Sequence, residues 1–347
     1  MISAEQIRDA LKGVKYPGFN RDIVSFGLVK DVQVRGNDVE VHIALATADP
    51  KIPEAIHQAA MAALRGLPGV SSAEVKIEVQ APPSAPAAAS GPARIDGVRH
   101  IIAIASGKGG VGKSTVATNL AVALQRSGAK VGLCDCDIYG PSIALMFGSS
   151  ERPTADDENR IIPIERYGVK LMSMGFLLDD DSPAVLRGPM VTRYTQQFLR
   201  QVAWGNLDYL LLDLPPGTGD IQLTIVQTVA LAGTIIVTTP QEVALLDARK
   251  ASRMFAKTNV PVLGIVENMS YFQCPSDGVQ YDLFGRGGGG REAQRLGVPL
   301  LGEIPIEIAL REGGDLGRPA TEFAPDTISG MAFAQIAQLV RKTVEQS

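Results

Sequence analysis

Hydrophobic positions in the first 80 residues repeat with two different periods. In residues 4–13 and again in IPEAIHQAAMAALRGL (52–67) the apolar side chains follow helical spacing, with Ile52, Ile56, Ala60, Ala63, Leu64 and Leu67 on one face of the second segment. Between and after these helices, DIVSFGLVKDVQVRG (22–36) and DVEVHIALAT (38–47) read as two strands joined by a turn at Gly36-Asn37-Asp38. SSAEVKIEVQ (71–80) alternates Ala73, Val75, Ile77 and Val79 on one side. Together these segments predict a small α+β domain over residues 1–80. Beyond residue 97 the pattern changes to near-continuous apolar runs: HIIAIA (100–105), KVGLCDCDI (130–138), DYLLLDL (208–214), GTIIVTTP (233–240) and VPVLGIVENM (260–269). Helical stretches separate them, the first from Ser114 to Ser127. Strands apolar on both sides belong to a parallel sheet covered on both faces, so residues 98–347 are expected to form a doubly wound α/β domain.

Every position from 81 to 92 is Ala, Pro, Ser or Gly. Such a stretch has nothing to bury, and residues 81–97 are read as a linker. The 347 residues, 45% hydrophobic and 20% charged, describe a globular chain and exclude a disordered, collagen-like or disulfide-stapled one. With 33 basic and 37 acidic residues the net charge is -4, and no block of Lys and Arg marks a nucleic-acid or lipid binder. Three cysteines build no disulfide framework. The N-terminus lacks a basic-then-apolar leader, and no window has the roughly 18 apolar residues of a spanning helix. A cytoplasmic protein with neither membrane nor nucleic acid as partner is the expectation.

The strand HIIAIA runs into SGKGGVGKST and a helix, so Gly107, Gly112, Lys113 and Ser114 satisfy GxxxxGK[ST] in the strand-to-helix context that the motif requires. Glycines let backbone amides converge on phosphate oxygens, and the helix N-terminus adds its dipole. Lys113 can reach the β and γ phosphates, and the Ser114 hydroxyl can ligate Mg2+. Asp213 ends the run YLLLD, where a strand presents a carboxylate to the magnesium or its water. Asp135 and Asp137, two apart, project to the same side of their strand. Three histidines, His42, His57 and His100, make no metal-binding pair.

The KGGVGK spelling, with a second lysine at Lys108, resembles the deviant Walker A class, which includes the MinD and ParA ATPases and the Mrp/ApbC-type iron-sulfur carriers. DIYGPS (137–142), RGPM (187–190), DLPPGTGD (213–220), ENMSYF (267–272) and FGRGGG (284–289) narrow the likeness to the Mrp/ApbC-type iron-sulfur cluster carrier P-loop ATPases. DIVSFGLV (22–29) is similar to the iron-sulfur assembly domain that often precedes that ATPase. The resemblance implies an ATP- and Mg2+-dependent hydrolase, slow in turnover, working as a homodimer that delivers a [4Fe-4S] cluster to apo iron-sulfur proteins. It makes Gly107, Gly109, Gly110, Val111, Gly112, Lys113, Ser114 and Thr115 the nucleotide site, with Asn268 on the adenine and Glu267 a structural neighbour. Lys108 would cross the dimer to the other subunit's nucleotide, Lys113 would hold phosphate and Asp137 would polarise the attacking water, with Asp135 structural.

Two positions depart from that family. Its carriers place CPxC after ENMSYF, and here Cys274-Pro275-Ser276-Asp277 keeps the first cysteine and has Asp277 at the second. A dimer then offers two thiolates where a cluster usually takes four. Either Asp277 ligates through oxygen, or an external thiol completes the set, or stable binding is lost. The cysteine often found before a proline in the assembly domain is Ile52, which leaves that domain a docking or regulatory role. Cys134 and Cys136, in a strand, read as buried hydrophobes. Two other functions stay open: a MinD/ParA-like positioning switch, whose C-terminal helix with Phe333, Ile336, Leu339 and Val340 on one face could lie on lipid, and an ATPase scaffold without a cluster.

Overall fold

The computed structural model describes residues 3–17, 22–46, 51–80, 92–176 and 198–345. They fall into two compact units, residues 3–80 and residues 92–345.

In the first unit Ser3 and Gln6 form a reciprocal capping box that starts the helix Ala4–Leu11. Strands β1 (Val29–Arg35) and β2 (Asp38–Ala46) pair antiparallel around Gly36, whose φ of +66° suits the tight turn. The helix Lys51–Arg65 then returns the chain so that β3 (Ser72–Gln80) runs parallel to β2. Ile7, Leu11, Ile23, Val41, Ile43, Ile56 and Leu64 make the core. One expectation fails: Asp22 to Leu28 is not strand. Asp22 accepts the amides of Val24 and Ser25 and the Ser25 hydroxyl, and this local carboxylate turn outcompetes the ladder. Val79, expected on the inward face of β3, is exposed, although its register partner Leu45 on β2 is buried.

In the second unit the described residues form a sheet of nine strands: β4 (Val98–Ala105), β5 (Val131–Asp135), β6 (Ile164–Arg166), β7 (Val169–Ser173), β8 (Leu207–Asp213), β9 (Gly233–Thr238), β10 (Val262–Gln273), β11 (Gln280–Tyr281) and β12 (Leu300–Ile306). Their order is β11-β10-β9-β4-β8-β5-β7-β6, with β12 also paired to β10. All pairings are parallel except the two short edge strands β6 and β11. β5 and β9 are buried along their whole length, as strands covered on both faces must be. From β4 the chain goes first toward β5 and later to β9 on the other side, so the strand order reverses at β4. In such sheets ligands bind beyond the carboxyl ends of the strands at that reversal.

The C-terminal helix Ile328–Glu345 packs on β12 and on the helix Lys113–Arg126. Phe333, Ile336 and Val340 are fully buried, and Gly302 leaves no room for a side chain against Ile336. Leu339 lies outside that face and is exposed. The helix is therefore a core element, and its apolar face is not available to lipid. Among the described residues no helix is long and apolar enough to cross a membrane.

Candidate functional site

The P-loop occupies the carboxyl end of β4. After Ala105 the chain turns through Gly110 and Gly112, both in the left-handed region (φ +80° and +79°), and Lys113 opens the helix Lys113–Arg126. Two neighbours shape the loop from behind. A Cβ on Gly107 would lie 2.1 Å from the backbone of Asp247, and one on Gly112 would lie 2.1 Å from Nδ2 of Asn268. On the other side the loop is open: Gly109 and Gly110 are exposed, and a Cβ on Gly110 would meet nothing within 4 Å. Val111 is buried and points its carbonyl inward, where Asn268 Nδ2 donates to it at 2.9 Å. Ser106 Oγ donates to the Lys108 carbonyl at 2.9 Å, and its own carbonyl takes the Gly217 amide at 3.0 Å, which ties the PPGTGD loop to the P-loop. Thr115 and Lys108 are half-buried.

Behind the loop lies a buried charge cluster. Lys113 Nζ donates to Asp213 Oδ1 at 2.5 Å, and Ser114 Oγ donates to Asp213 Oδ2 at 2.6 Å. Burial pushes the Asp213 carboxyl up, Lys113 and Ser114 pull it back, and the charge of Asp137 adds to the rise. Asp135 is pushed up to about 7, first by burial and then by Asp213. Its oxygens accept the amides of Asp137, Ser142 and Ile143 and the Ser173 hydroxyl. Asp135 thus folds the DIYGPS loop, while Asp137 is half-buried and accepts the Gly140 amide on its Oδ1 at 3.3 Å. These residues fit a magnesium nucleotide: an open glycine cradle for phosphate, a lysine at its edge, and a hydroxyl and a carboxylate converging as oxygen ligands.

β10 leads from this loop to the cysteine. Past Asn268, Phe272 pairs with Tyr281 of β11, and the turn between them is closed by Cys274 N–H to Val279 O and Gly278 N–H to Cys274 O, both 2.9 Å. The Cys274 thiol lies 3.0 Å from Ser276 Oγ and is half-buried. Asp277 accepts the Val279 amide at 2.9 Å, and this amide together with the Cys274 thiol holds its carboxyl below the usual range. One thiol and one carboxylate therefore share the hairpin tip. Beside Asn268, the fully buried Glu267 accepts the Ser270 hydroxyl at 2.5 Å and the Gly289 amide. A Cβ on Gly289 would come 2.9 Å from that of Glu267. GRGGGG is thus a close-packing device for the strand.

Other expected candidates stay apart. Cys134 and Cys136 are buried and share no disulfide; the Cys136 thiol donates to Cys134 Sγ at 3.9 Å, and that contact and burial push it well up. Among the described residues no group of three or more metal-ligating side chains exists. His42 pairs with Glu40, and His100 stacks on Tyr209. The RGPM stretch lies outside the described residues. The Asn268 brace and the Asp247 approach to Gly107 were not anticipated from the sequence. Both join positions more than a hundred residues apart, and only the glycines at 107 and 112 hinted at them.

Comparison with known proteins agrees with this arrangement. Residues 97–341 match the ParA family profile described as NUBPL iron-transfer P-loop NTPase, and residues 4–77 match that of the iron-sulfur cluster assembly protein. An iron-sulfur cluster carrier protein of Synechocystis is 45% identical, covering 100% of this chain and 99% of its own length. A nucleotide-binding protein of Archaeoglobus fulgidus, solved with ADP, superposes with a TM-score of 0.60 at 44% identity, over 67% of this chain and 92% of its own. The cell-division ATPase MinD of Pyrococcus furiosus does so at 0.55 and 26%, over 70% and 98%. With its open glycine cradle and full-length likeness to the carriers, the chain belongs to the NUBPL/ParA family of iron-transfer P-loop NTPases.

Proposed function

We propose that this chain is an ATP-hydrolysing carrier that holds an iron-sulfur cluster as cargo at Cys274 and Asp277 and delivers it to apo-proteins as a nucleotide-clamped homodimer. The observation that carries this reading is that one strand, β10, serves both ends: Asn268 grips the P-loop carbonyl of Val111, and Cys274 stands at the strand's end. Bound MgATP supplies a phosphoanhydride whose cleavage ends one state of the switch. Lys113 would hold the phosphate oxygens, and Ser114 and Asp213, now hydrogen-bonded to each other, would hold the magnesium. Asp137, the least encumbered carboxylate of the cluster, orients the water. Lys108 reaches the partner's nucleotide and so makes closure depend on ATP.

One protomer offers a single thiolate and a single carboxylate, so the cargo site is complete only between two copies. Closing the dimer brings two Cys274 and two Asp277 side chains together, and relaxing it opens the ligand set for transfer. The assembly-like unit lacks a thiol at Ile52, which suits docking of clients more than holding iron. Light scattering on the eluting protein tests the clamp. Wild type should run as a dimer with a non-hydrolysable ATP analogue and as a smaller species without it, and Lys108→Ala should fail to dimerise. A nucleotide-independent state in wild type contradicts the clamp.

A further inference from the structure

The helix Glu242–Lys257, whose Asp247 abuts Gly107, packs beside the helix Gly288–Leu296, and the two leave a groove of about 530 Å³ lined by Leu246, Arg249, Lys250, Arg253, Arg295 and Leu296. All four charged side chains that line it are basic, on a chain whose net charge is -4. Their charges are unequally compensated. Arg249 is fixed between the buried Glu292 and Glu242, and Lys250 pairs with Asp247. Arg253 and Arg295 are exposed and have no ion-pair partner among the described residues. Leu246, on the same helix, is 47% exposed beside them.

We propose that this groove docks an acidic, leucine-bearing segment of a partner protein. Two unpaired guanidiniums on adjacent helices match carboxylates spaced along a peptide, since each can take a carboxylate in a bidentate fork. Leu246 and Leu296 provide the apolar contact that a peptide side chain fills and that free phosphate or a nucleic-acid backbone does not use. Arg249, held by Glu292 and Glu242, fixes the floor of the groove and leaves Arg253 and Arg295 as its uncompensated charges. The site stands whether or not the chain carries a cluster. Its lining includes neither Asp247, which abuts Gly107, nor a residue of the Cys274 hairpin.

The test uses the full chain and a fluorescein-labelled synthetic helix-forming peptide with Glu and Leu at helical spacing, followed by anisotropy. Competitors are the same peptide with every Leu replaced by Ser, and a single-stranded RNA of equal charge. The expected result is saturable binding that weakens with salt. Binding should fall by about tenfold or more in Arg253→Glu/Arg295→Glu and in Leu246→Asp, equivalent to losing one good contact each. ATP hydrolysis by these variants should match wild type. Equal binding of the peptide to the variants, or equal binding of the Ser peptide or the RNA to wild type, overturns the assignment. Loss of ATP hydrolysis in the variants also overturns it, by making the groove part of the nucleotide machinery.

Discussion

Replacing Asn268 by alanine isolates the link between nucleotide loop and strand. The side chain is buried, and its amide satisfies the carbonyl of Val111, itself buried within the P-loop. Truncation removes that bond and orphans an acceptor that water reaches poorly, a cost of about 1–3 kcal/mol. Because the loop must hold its shape to bind phosphate, most of that cost should appear as lost affinity, a factor of roughly 5 to 150 in Kd. Titration calorimetry with ATP and with GTP, each with magnesium, measures it, and a thermal melt checks that the variant folds. If Asn268 acts through the loop, both nucleotides weaken together. Gly112→Ala should copy the effect, since its Cβ would strike Nδ2 of the same asparagine from a left-handed backbone. Unchanged ATP affinity in Asn268→Ala refutes the brace, and a loss confined to ATP assigns the residue to the base instead.

Other expectations follow from the buried charges and the tight glycines. Lys113→Ala should abolish ATP hydrolysis and also destabilise the nucleotide-free protein, because it strips the partner from a fully buried Asp213. The loss in melting temperature should be larger near neutral pH than in acid, where Asp213 can take up a proton. For Asp135, the native state keeps its proton up to about 7 while the unfolded chain releases it near 3.8. This group's contribution is therefore present in acid and lost as pH rises through that window, and Asp135→Asn should flatten the decline in a urea-denaturation series across it. Gly289→Ala should lower stability by about 1–3 kcal/mol through overpacking against Glu267, measured by the same denaturation.

The sequence makes the candidate nucleotide site legible because its chemistry is local. Gly107 to Thr115 are contiguous through the P-loop and the first turn of its helix, Asp213 ends an apolar run that announces itself as a strand, and Asp137 follows two residues after another. The deviation at Asp277 was equally plain, and the hairpin brings it to the Cys274 thiol as the short spacing requires. What the sequence hides is of two kinds. Short or polar-interrupted strands such as β7, with Lys170, and β12, with Gly302 and Pro305, carry too little periodicity to separate from loop. The segment after Asp22 reads as strand by composition, but its carboxylate turn is decided by hydrogen bonds that hydrophobic patterning does not record. Contacts across the sheet, such as Asn268 with Val111 and Asp247 with Gly107, depend on strand order, which one sequence does not state.

The central claim is that Cys274 and Asp277 of two copies hold a cluster. Anaerobic reconstitution with iron and sulfide, counting both per dimer in wild type, Cys274→Ala and Asp277→Cys, tests it most directly. The account predicts about four irons per dimer in wild type, the complement of one [4Fe-4S] unit, none in Cys274→Ala, and a filled, more persistent site in Asp277→Cys. A wild type that stays empty while Asp277→Cys fills contradicts it, and leaves an ATP switch that has lost its cargo.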